Sequence, residues 1–175
     1  VGDLAPRVRA TIAAGAYPIV ITGRNEAARA NLLQEFSDPA RALIIGWTAK
    51  MPIYLAAANC LVQNGGGTTC HEAGAMGVPV LFFRPLPGHG QLNAKAMEQA
   101  GIAWTLSSED ELRPAIERVS SGFAPALVPR TGAPLTGAIE HALRFDRAIQ
   151  NRPSSRLRPL PRIGFAALLL LTCWL

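Results

Sequence analysis

The sequence predicts an α/β fold with a Rossmann-like, doubly wound parallel sheet. Three observations support this prediction. Short apolar runs rich in β-branched residues alternate with stretches in which apolar residues recur at helical spacing. Several of these runs end at glycine, where a strand gives way to a turn. The 175 residues are 49% hydrophobic and 17% charged, which suits one compact domain with a core. Strands that alternate with helices favour a parallel sheet with helices on both faces.

The elements follow one another along the chain with turn residues at their ends. Helical spacing predicts helices at 4–14, 25–36, 52–58, 68–76, 92–100 and 110–120, and short continuous apolar runs predict strands at 18–22, 42–45, 60–63, 78–83 and 102–105. Gly15 ends the first helix, Asp38 and Pro39 break the second, and Gly23 and Gly46 close the first two strands. Three glycines follow the third strand, and a loop of prolines and glycines follows the fourth.

The charge distribution argues against a nucleic-acid partner. The net charge is +5, but residues 151–175 hold four arginines and no acid, so the first 150 residues carry 17 − 4 = 13 basic and 12 acidic side chains. A nucleic-acid binder gathers its basic residues on the folded domain. The cysteines, Cys60, Cys70 and Cys173, are odd in number and lack CxxC spacing, which favours a reduced, cytosolic setting. Cys70 and His71 have no second pair, so we expect no metal site.

The composition divides the chain into three parts. Residues 1–150 are predicted as the folded domain, 151–162 as a basic linker rich in Arg, Pro and Ser, and 163–175 as a hydrophobic segment without charge. These thirteen residues are fewer than the ~20 that a spanning helix needs. We expect a truncated transmembrane segment, with an interfacial anchor or a buried terminal helix as alternatives. Arginines before the segment favour the cytoplasmic side of a membrane. The absence of an initial Met favours an N-terminal truncation.

The sharpest motif, NGGGTTCHEA at 64–73, lies between a predicted strand and a predicted helix. Open parallel sheets bind ligands at such strand ends. Gly66 and Gly67 let an anion approach the backbone, while Thr68 and Thr69 are expected to cap the helix and donate hydroxyls. Glu72, one turn later, is expected to accept two adjacent sugar hydroxyls. The motif matches neither a P-loop nor GxGxxG, and a turn that serves packing alone is the alternative.

A second motif, RPLPGHGQLN at 84–93, follows the next predicted strand. Gly88 frees backbone for a ligand, and His89 is expected to donate to a phosphate or a leaving-group oxygen, although an ordinary solvated histidine is the alternative. Gln91 and Asn93 suit sugar hydroxyls through paired hydrogen bonds. Because both motifs follow parallel strands, we expect the two glycine turns at one edge of the sheet.

A third motif, Gly46-Trp47-Thr48 with Met51, also follows a predicted strand. Trp47 and Met51 are candidates for a shelf beneath a flat base. Core packing is the alternative for a tryptophan at a strand end.

These motifs, in this order, resemble the C-terminal domain of GT-B glycosyltransferases, and in particular the family of the lipid II-forming N-acetylglucosaminyl transferase and the diacylglycerol glycosyltransferases. The resemblance covers about residues 4–121. It rests on the stretches 21–25, 46–51, 65–72, 77–80, 87–93 and 100–101.

The resemblance implies a UDP-sugar donor and inverting hexosyl transfer to a lipid or lipid-linked acceptor, in glycolipid or cell-envelope biosynthesis. It places Glu72 on the ribose, the turn and helix start at 66–69 around the diphosphate, and Trp47 and Met51 near uracil. Gln91 and Asn93 would face the transferred sugar. It implies no cofactor and no metal, in agreement with the lack of a DxD-type carboxylate pair.

The family's domain begins with a further strand and glycine loop and is preceded by an acceptor-binding domain, and we expect that an N-terminal truncation has removed both. No catalytic base is therefore assigned. The candidates in this chain are His71, His89 and His141, and no sequence feature favours any of them. The alternatives are a donor-binding subunit that needs a separate acceptor-domain chain and a UDP-sugar epimerase.

Overall fold

The computed structural model describes residues 4–125 and the strand at 167–171. The helices are α1 Ala5–Ala13, α2 Glu26–Glu35, α3 Met51–Ala57, α4 Gly67–Ala75, α5 His89–Gln99 and α6 Glu109–Ser120. The strands are β1 Tyr17–Ile21, β2 Leu43–Ile45, β3 Ala58–Gln63, β4 Val80–Phe83, β5 Ala103–Leu106 and β6 Ala167–Leu171. Each helix and strand predicted before residue 121 has its counterpart, and the predicted α/β fold is confirmed.

The strands form one sheet in the order β2-β1-β6-β3-β4-β5, and every neighbouring pair is parallel. Ile19 pairs with Leu43 on one side of the sheet, and Val80 pairs with Ala103 on the other. Since parallel strands end at the same edge, the segments that follow β1, β2, β3 and β4 all leave from one side of the sheet.

Two apolar clusters cover the two faces of the sheet. In β4, Phe82 belongs to one cluster and its neighbour Phe83 to the other, as the alternation of side chains along a strand requires. Val8 of α1 and Leu112 of α6 join the cluster of Phe83, whereas Leu55 of α3 joins that of Phe82. Helices therefore cover both faces, as expected for a doubly wound sheet.

The segment predicted to enter a membrane contains a strand. Residues 167–171 pair in parallel with β1 and β3, with Leu169 opposite both Ile19 and Leu61. A continuous apolar run fits a central parallel strand as well as a membrane helix, because both lack a solvated face. Among residues 4–125 and 167–171, no helix is both long and apolar enough to span a bilayer. The linker at 151–162 and the rest of the apolar segment lie outside the described residues, so the division into three parts stays a prediction.

Candidate functional site

The two glycine turns lie against each other at the carboxyl edge of the sheet. The backbone N–H of Leu86, in the second loop, donates to the carbonyl of Asn64 at 2.8 Å. A Cβ built on Gly65 would lie 2.6 Å from the Cα of Gly90, closer than any side chain allows. Gly65 also has φ +145°, a conformation that L side chains rarely adopt. Adjacent parallel strands thus bring the two motifs together, as the sequence predicts.

Helix α4 begins one residue earlier than expected and has a backbone cap. Gly66, with φ −69° and ψ 118°, is the N-cap, and no side chain caps the helix. The prediction that Thr68 and Thr69 cap the helix is wrong, because glycine provides the extended cap conformation and the threonines fall within the first turn. The N–H groups of that turn have no intrahelical acceptor, and the helix dipole adds positive potential.

Helix α5 begins at His89, three residues before the predicted start. Gly88, with φ +81°, is its N-cap, and Leu92 N donates to Gly88 O at 3.1 Å. His89 and Gln91 are therefore exposed residues of a first helical turn, whereas the sequence placed them in a loop.

Asn93 connects the two motifs. Its Nδ2 donates to the carbonyl of Gly65 at 3.4 Å, and the side chain is half-buried. The resemblance implies that the side-chain amide of Asn93 faces the transferred sugar, and the bond to Gly65 O uses one of the two N–H donors of that amide. Asn93 therefore links α5 to the glycine turn.

Glu72 and Trp47 are both open to solvent. Glu72 lies in the second turn of α4 and is exposed, while Trp47 follows β2 with 59% of its surface exposed. The core-packing alternative for Trp47 does not hold, because its ring lies outside both apolar clusters. Met51, the first residue of α3, is half-buried against the cluster of Phe82.

Two polar residues at the end of β3 were missed by the sequence prediction. Gln63 is 2% exposed, and its Nε2 donates to the carbonyl of Gly66 at 2.9 Å and to Cys70 Sγ. Asn64 is 3% exposed, and its Oδ1 has no hydrogen-bond partner within the described part of the chain. The sequence does contain a signal for them: two consecutive amide residues end an apolar strand, where packing alone favours apolar side chains.

Arg84 is the third residue that the prediction missed. Within the described residues it is the single non-glycine with positive φ, at 46°. Its backbone N donates to Leu106 O, and its guanidinium reaches Ser107 O at 3.2 Å and Glu109 Oε1 at 3.6 Å. Arg84 thus fixes the start of the second loop to the segment between β5 and α6.

The buried cysteines lack the features of a metal site. Cys70 is 1% exposed, whereas the adjacent His71 is exposed, so the two side chains do not face one site. Across residues 4–125 and 167–171, no group of three or more His, Cys, Asp or Glu side chains is close enough to hold an ion. Burial raises the pKa of the Cys60 thiol well above its usual range, so this thiol stays protonated.

The profile of the glycosyltransferase family 28 C-terminal domain matches residues 4–129. The chain belongs to this family. The match includes both glycine turns, Trp47 and Glu72, and it confirms the resemblance to the C-terminal domain of GT-B glycosyltransferases.

Three relatives of this family-28 domain share the name processive diacylglycerol β-glucosyltransferase. The protein of Staphylococcus carnosus is 32% identical over 93 residues, which is 53% of this chain and 24% of the relative. That of Bacillus cereus strain G9842 is 30% identical over 95 residues, 54% of this chain and 24% of the relative. That of Bacillus licheniformis is 31% identical over 107 residues, 61% of this chain and 27% of the relative. The matched part is thus about a quarter of each relative.

Proposed function

We propose that this domain binds a UDP-sugar and presents it for inverting transfer of a hexose to a lipid or lipid-linked acceptor at the cytoplasmic side of a membrane. Family membership and the names of the relatives support glycosyl transfer to a lipid. The relatives are named β-glucosyltransferases, and a β-product from an α-linked nucleotide sugar requires inversion. The donor half is what this chain contributes to that reaction.

The observation that carries the proposal is the contact between the two turns, which brings two helix starts together. Helix α4 begins at Gly67 and α5 at His89, and neither has an acidic residue in its first turn. By contrast, α6 begins with Glu109, Asp110 and Glu111. Helices α1 and α3 also lack an acidic residue in the first turn, but α4 and α5 start where the two turns meet, so their positive ends converge and are available for a diphosphate.

The exposed side chains around this anion site suit the other parts of a nucleotide sugar. Glu72 lies beyond the first turn of α4, where its carboxylate accepts the two ribose hydroxyls. The exposed ring of Trp47 offers a face for uracil. His89 and Gln91 extend from the start of α5 toward the phosphate and the sugar.

The same arrangement favours departure of the nucleotide. When the sugar is transferred, negative charge develops on the leaving diphosphate, and oriented N–H groups at two helix starts stabilise it without reorganising. The general base and the acceptor site are not assigned to residues of this chain. Its proposed part in catalysis is to hold the donor and stabilise the leaving group.

Calorimetry on the full chain tests the proposal with UDP and with its 2′-deoxy analogue. Wild-type protein should bind UDP more tightly, because Glu72 accepts from both ribose hydroxyls. Glu72→Ala should weaken UDP binding about 5- to 150-fold, equivalent to about 1–3 kcal/mol. It should also abolish the preference for UDP over the deoxy analogue.

Glu117→Ala provides the matched control. It removes the same charge from an exposed carboxylate on α6, so both variants raise the net charge of the chain by one. UDP affinity should not fall in this variant. Equal UDP affinity in wild type and Glu72→Ala would contradict the assignment of Glu72, and no binding of UDP to wild type would contradict the donor site itself.

A further inference from the structure

A buried amide lies directly beneath the first glycine turn. Gln63 is the last residue of β3 and is 2% exposed. It lies on the same side of its strand as Leu61, which belongs to the apolar cluster of Phe82. Its Nε2 donates to Gly66 O at 2.9 Å and to the sulfur of Cys70, in the first turns of α4. Both bonds thus join the end of β3 to the start of α4.

An amide at this position needs a reason beyond packing. An apolar side chain of similar volume would fill the space, whereas a buried amide is costly unless its hydrogen bonds are made. Here the amide bonds the carbonyl of the residue that caps α4. Its contribution is therefore to the conformation of the turn.

That hydrogen bond fixes the direction of an N–H group. Gly66 C=O and Gly67 N–H belong to one planar trans peptide, in which they point in opposite directions. Gln63 holds the carbonyl inward, toward the buried end of β3. The N–H of Gly67 must then point away from the core, toward the edge where the two turns meet. The N-cap carbonyl of a helix is already directed along the helix axis, and the bond from Gln63 adds a second restraint to a peptide that is flanked by two flexible glycines.

We propose that Gln63 is a positioning residue that orients the Gly66–Gly67 peptide, so that its N–H binds the diphosphate of the donor. The inference rests on the proposed function, because the diphosphate is the ligand of that N–H group. The Cys70 sulfur accepts from the same amide and holds it in place. Gln63 touches no substrate itself, and its effect is confined to the phosphate end of the ligand.

The test compares uridine with UDP, since the two differ only in the diphosphate. In Gln63→Met, which keeps the length of the side chain and loses the donor, UDP affinity should fall about 10-fold, as for one hydrogen bond to a charged group. Uridine affinity should stay within about 2-fold, because its binding residues lie elsewhere. The ratio of the dissociation constant for uridine to that for UDP should therefore fall. A merely structural defect would weaken both ligands alike.

Thr11→Val is the matched control. Thr11 is fully buried, and its hydroxyl donates to Arg7 O at 2.8 Å within α1, which packs on the opposite face of the sheet from Gln63. This variant also loses one buried hydrogen bond, so thermal stability should fall as in Gln63→Met while the ratio of uridine to UDP affinity stays at the wild-type value.

The outcomes separate the inference from the proposed function. If wild type does not bind UDP, the proposed function fails and the inference fails with it. If wild type binds UDP but Gln63→Met leaves the ratio unchanged, the inference alone is overturned. Should the methionine variant not fold, Gln63→Asn replaces it, because it keeps the amide and is one methylene too short to reach Gly66. The same fall in ratio is expected, and an unchanged ratio overturns the inference.

Discussion

Gly65 has no room for a side chain, and this makes it the most informative position in the turn. A Cβ at Gly65 would lie 2.6 Å from the Cα of Gly90, and its φ of +145° is unfavourable for any residue with a Cβ. Both obstacles involve backbone, so no side chain can move aside to relieve them. We predict that Gly65→Ala is strongly destabilising.

The expected cost is the sum of two separable contributions. Forcing alanine into a conformation reserved for glycine costs about 1–3 kcal/mol. Pushing two packed backbone segments apart costs about 1–3 kcal/mol more, as for an overpacked core. We therefore expect Gly65→Ala to lower the free energy of unfolding by about 2–6 kcal/mol.

Two neighbouring glycines measure the contributions one at a time. Gly88 has φ +81° and nothing within 4 Å of its Cβ position, so Gly88→Ala reports the conformational cost alone. A Cβ at Gly90 would lie 3.0 Å from Asn64 O and 3.2 Å from Leu86 Cβ, and its φ is not in the positive range, so Gly90→Ala reports the crowding. Gly65→Ala should cost about as much as both together.

Urea unfolding of the full chain, followed by circular dichroism, gives the three free energies. If Gly65→Ala costs no more than Gly88→Ala, the contact between the turns at 65–67 and 88–90 does not exist. The anion site built on that contact would then have no basis.

Three further predictions concern the scaffold. Arg84→Gly should be about 1 kcal/mol more stable than Arg84→Ala in urea unfolding, because both lose the guanidinium contacts and only glycine relieves the strain at φ 46°. The Tyr17 hydroxyl donates to Pro39 O at 2.6 Å, and burial, with the charge of Asp38, raises its pKa above 10.0. The stabilisation from the protonated Tyr17 hydroxyl is complete below pH 10 and is lost as the pH rises through the pKa of the folded state. The Tm of wild type should therefore fall further than that of Tyr17→Phe when the pH is raised from 9 to above 10. Asn25 Oδ1 accepts from Ala28 N at 2.9 Å, and Asn25→Ala should cost about 1 kcal/mol in the same unfolding assay, whereas Asn31→Ala, on the exposed surface of α2, should not destabilise.

Local signals were sufficient to predict each helix and strand before residue 121, although not all of their bounds. The β-branched run at 18–22 became β1 Tyr17–Ile21, and the break at Asp38 and Pro39 does follow α2. The start of α5 was misplaced because Gly88 and Gly90 are poor helix formers and His89 is only intermediate. The helical conformation of His89 and Gly90 depends on the close contact of Gly90 with Gly65, which is a tertiary interaction. The apolar run at 167–171 was ambiguous for another reason, since an uninterrupted run has no period that separates a strand from a helix.

The site was predictable only as far as topology determines it. Parallel order along the chain was enough to place both glycine turns at one edge. The hydrogen-bond partners of Gln63 and Arg84 were not predictable, because they depend on which carbonyl each side chain reaches: Gly66 for one and Ser107 for the other. Sequence spacing does not encode such distances. The threonines were misassigned for a related reason, since the motif itself does not show which of several small residues takes the extended cap conformation.

The contact between the turns also restricts where a ligand can lie. Gly65 and Gly90 are already in van der Waals contact, so a phosphate cannot enter between their backbones without separating them. A diphosphate bound under the proposed function must therefore lie over the shared edge, facing the first turns of α4 and α5. In that position it contacts N–H groups from both helices while the hydrogen bond from Leu86 N to Asn64 O stays intact. Hydrogen exchange at Leu86 should then stay slow with and without UDP, whereas exchange at Gly67 and Thr68 should slow on binding. Faster exchange at Leu86 in the complex would show that the ligand separates the turns.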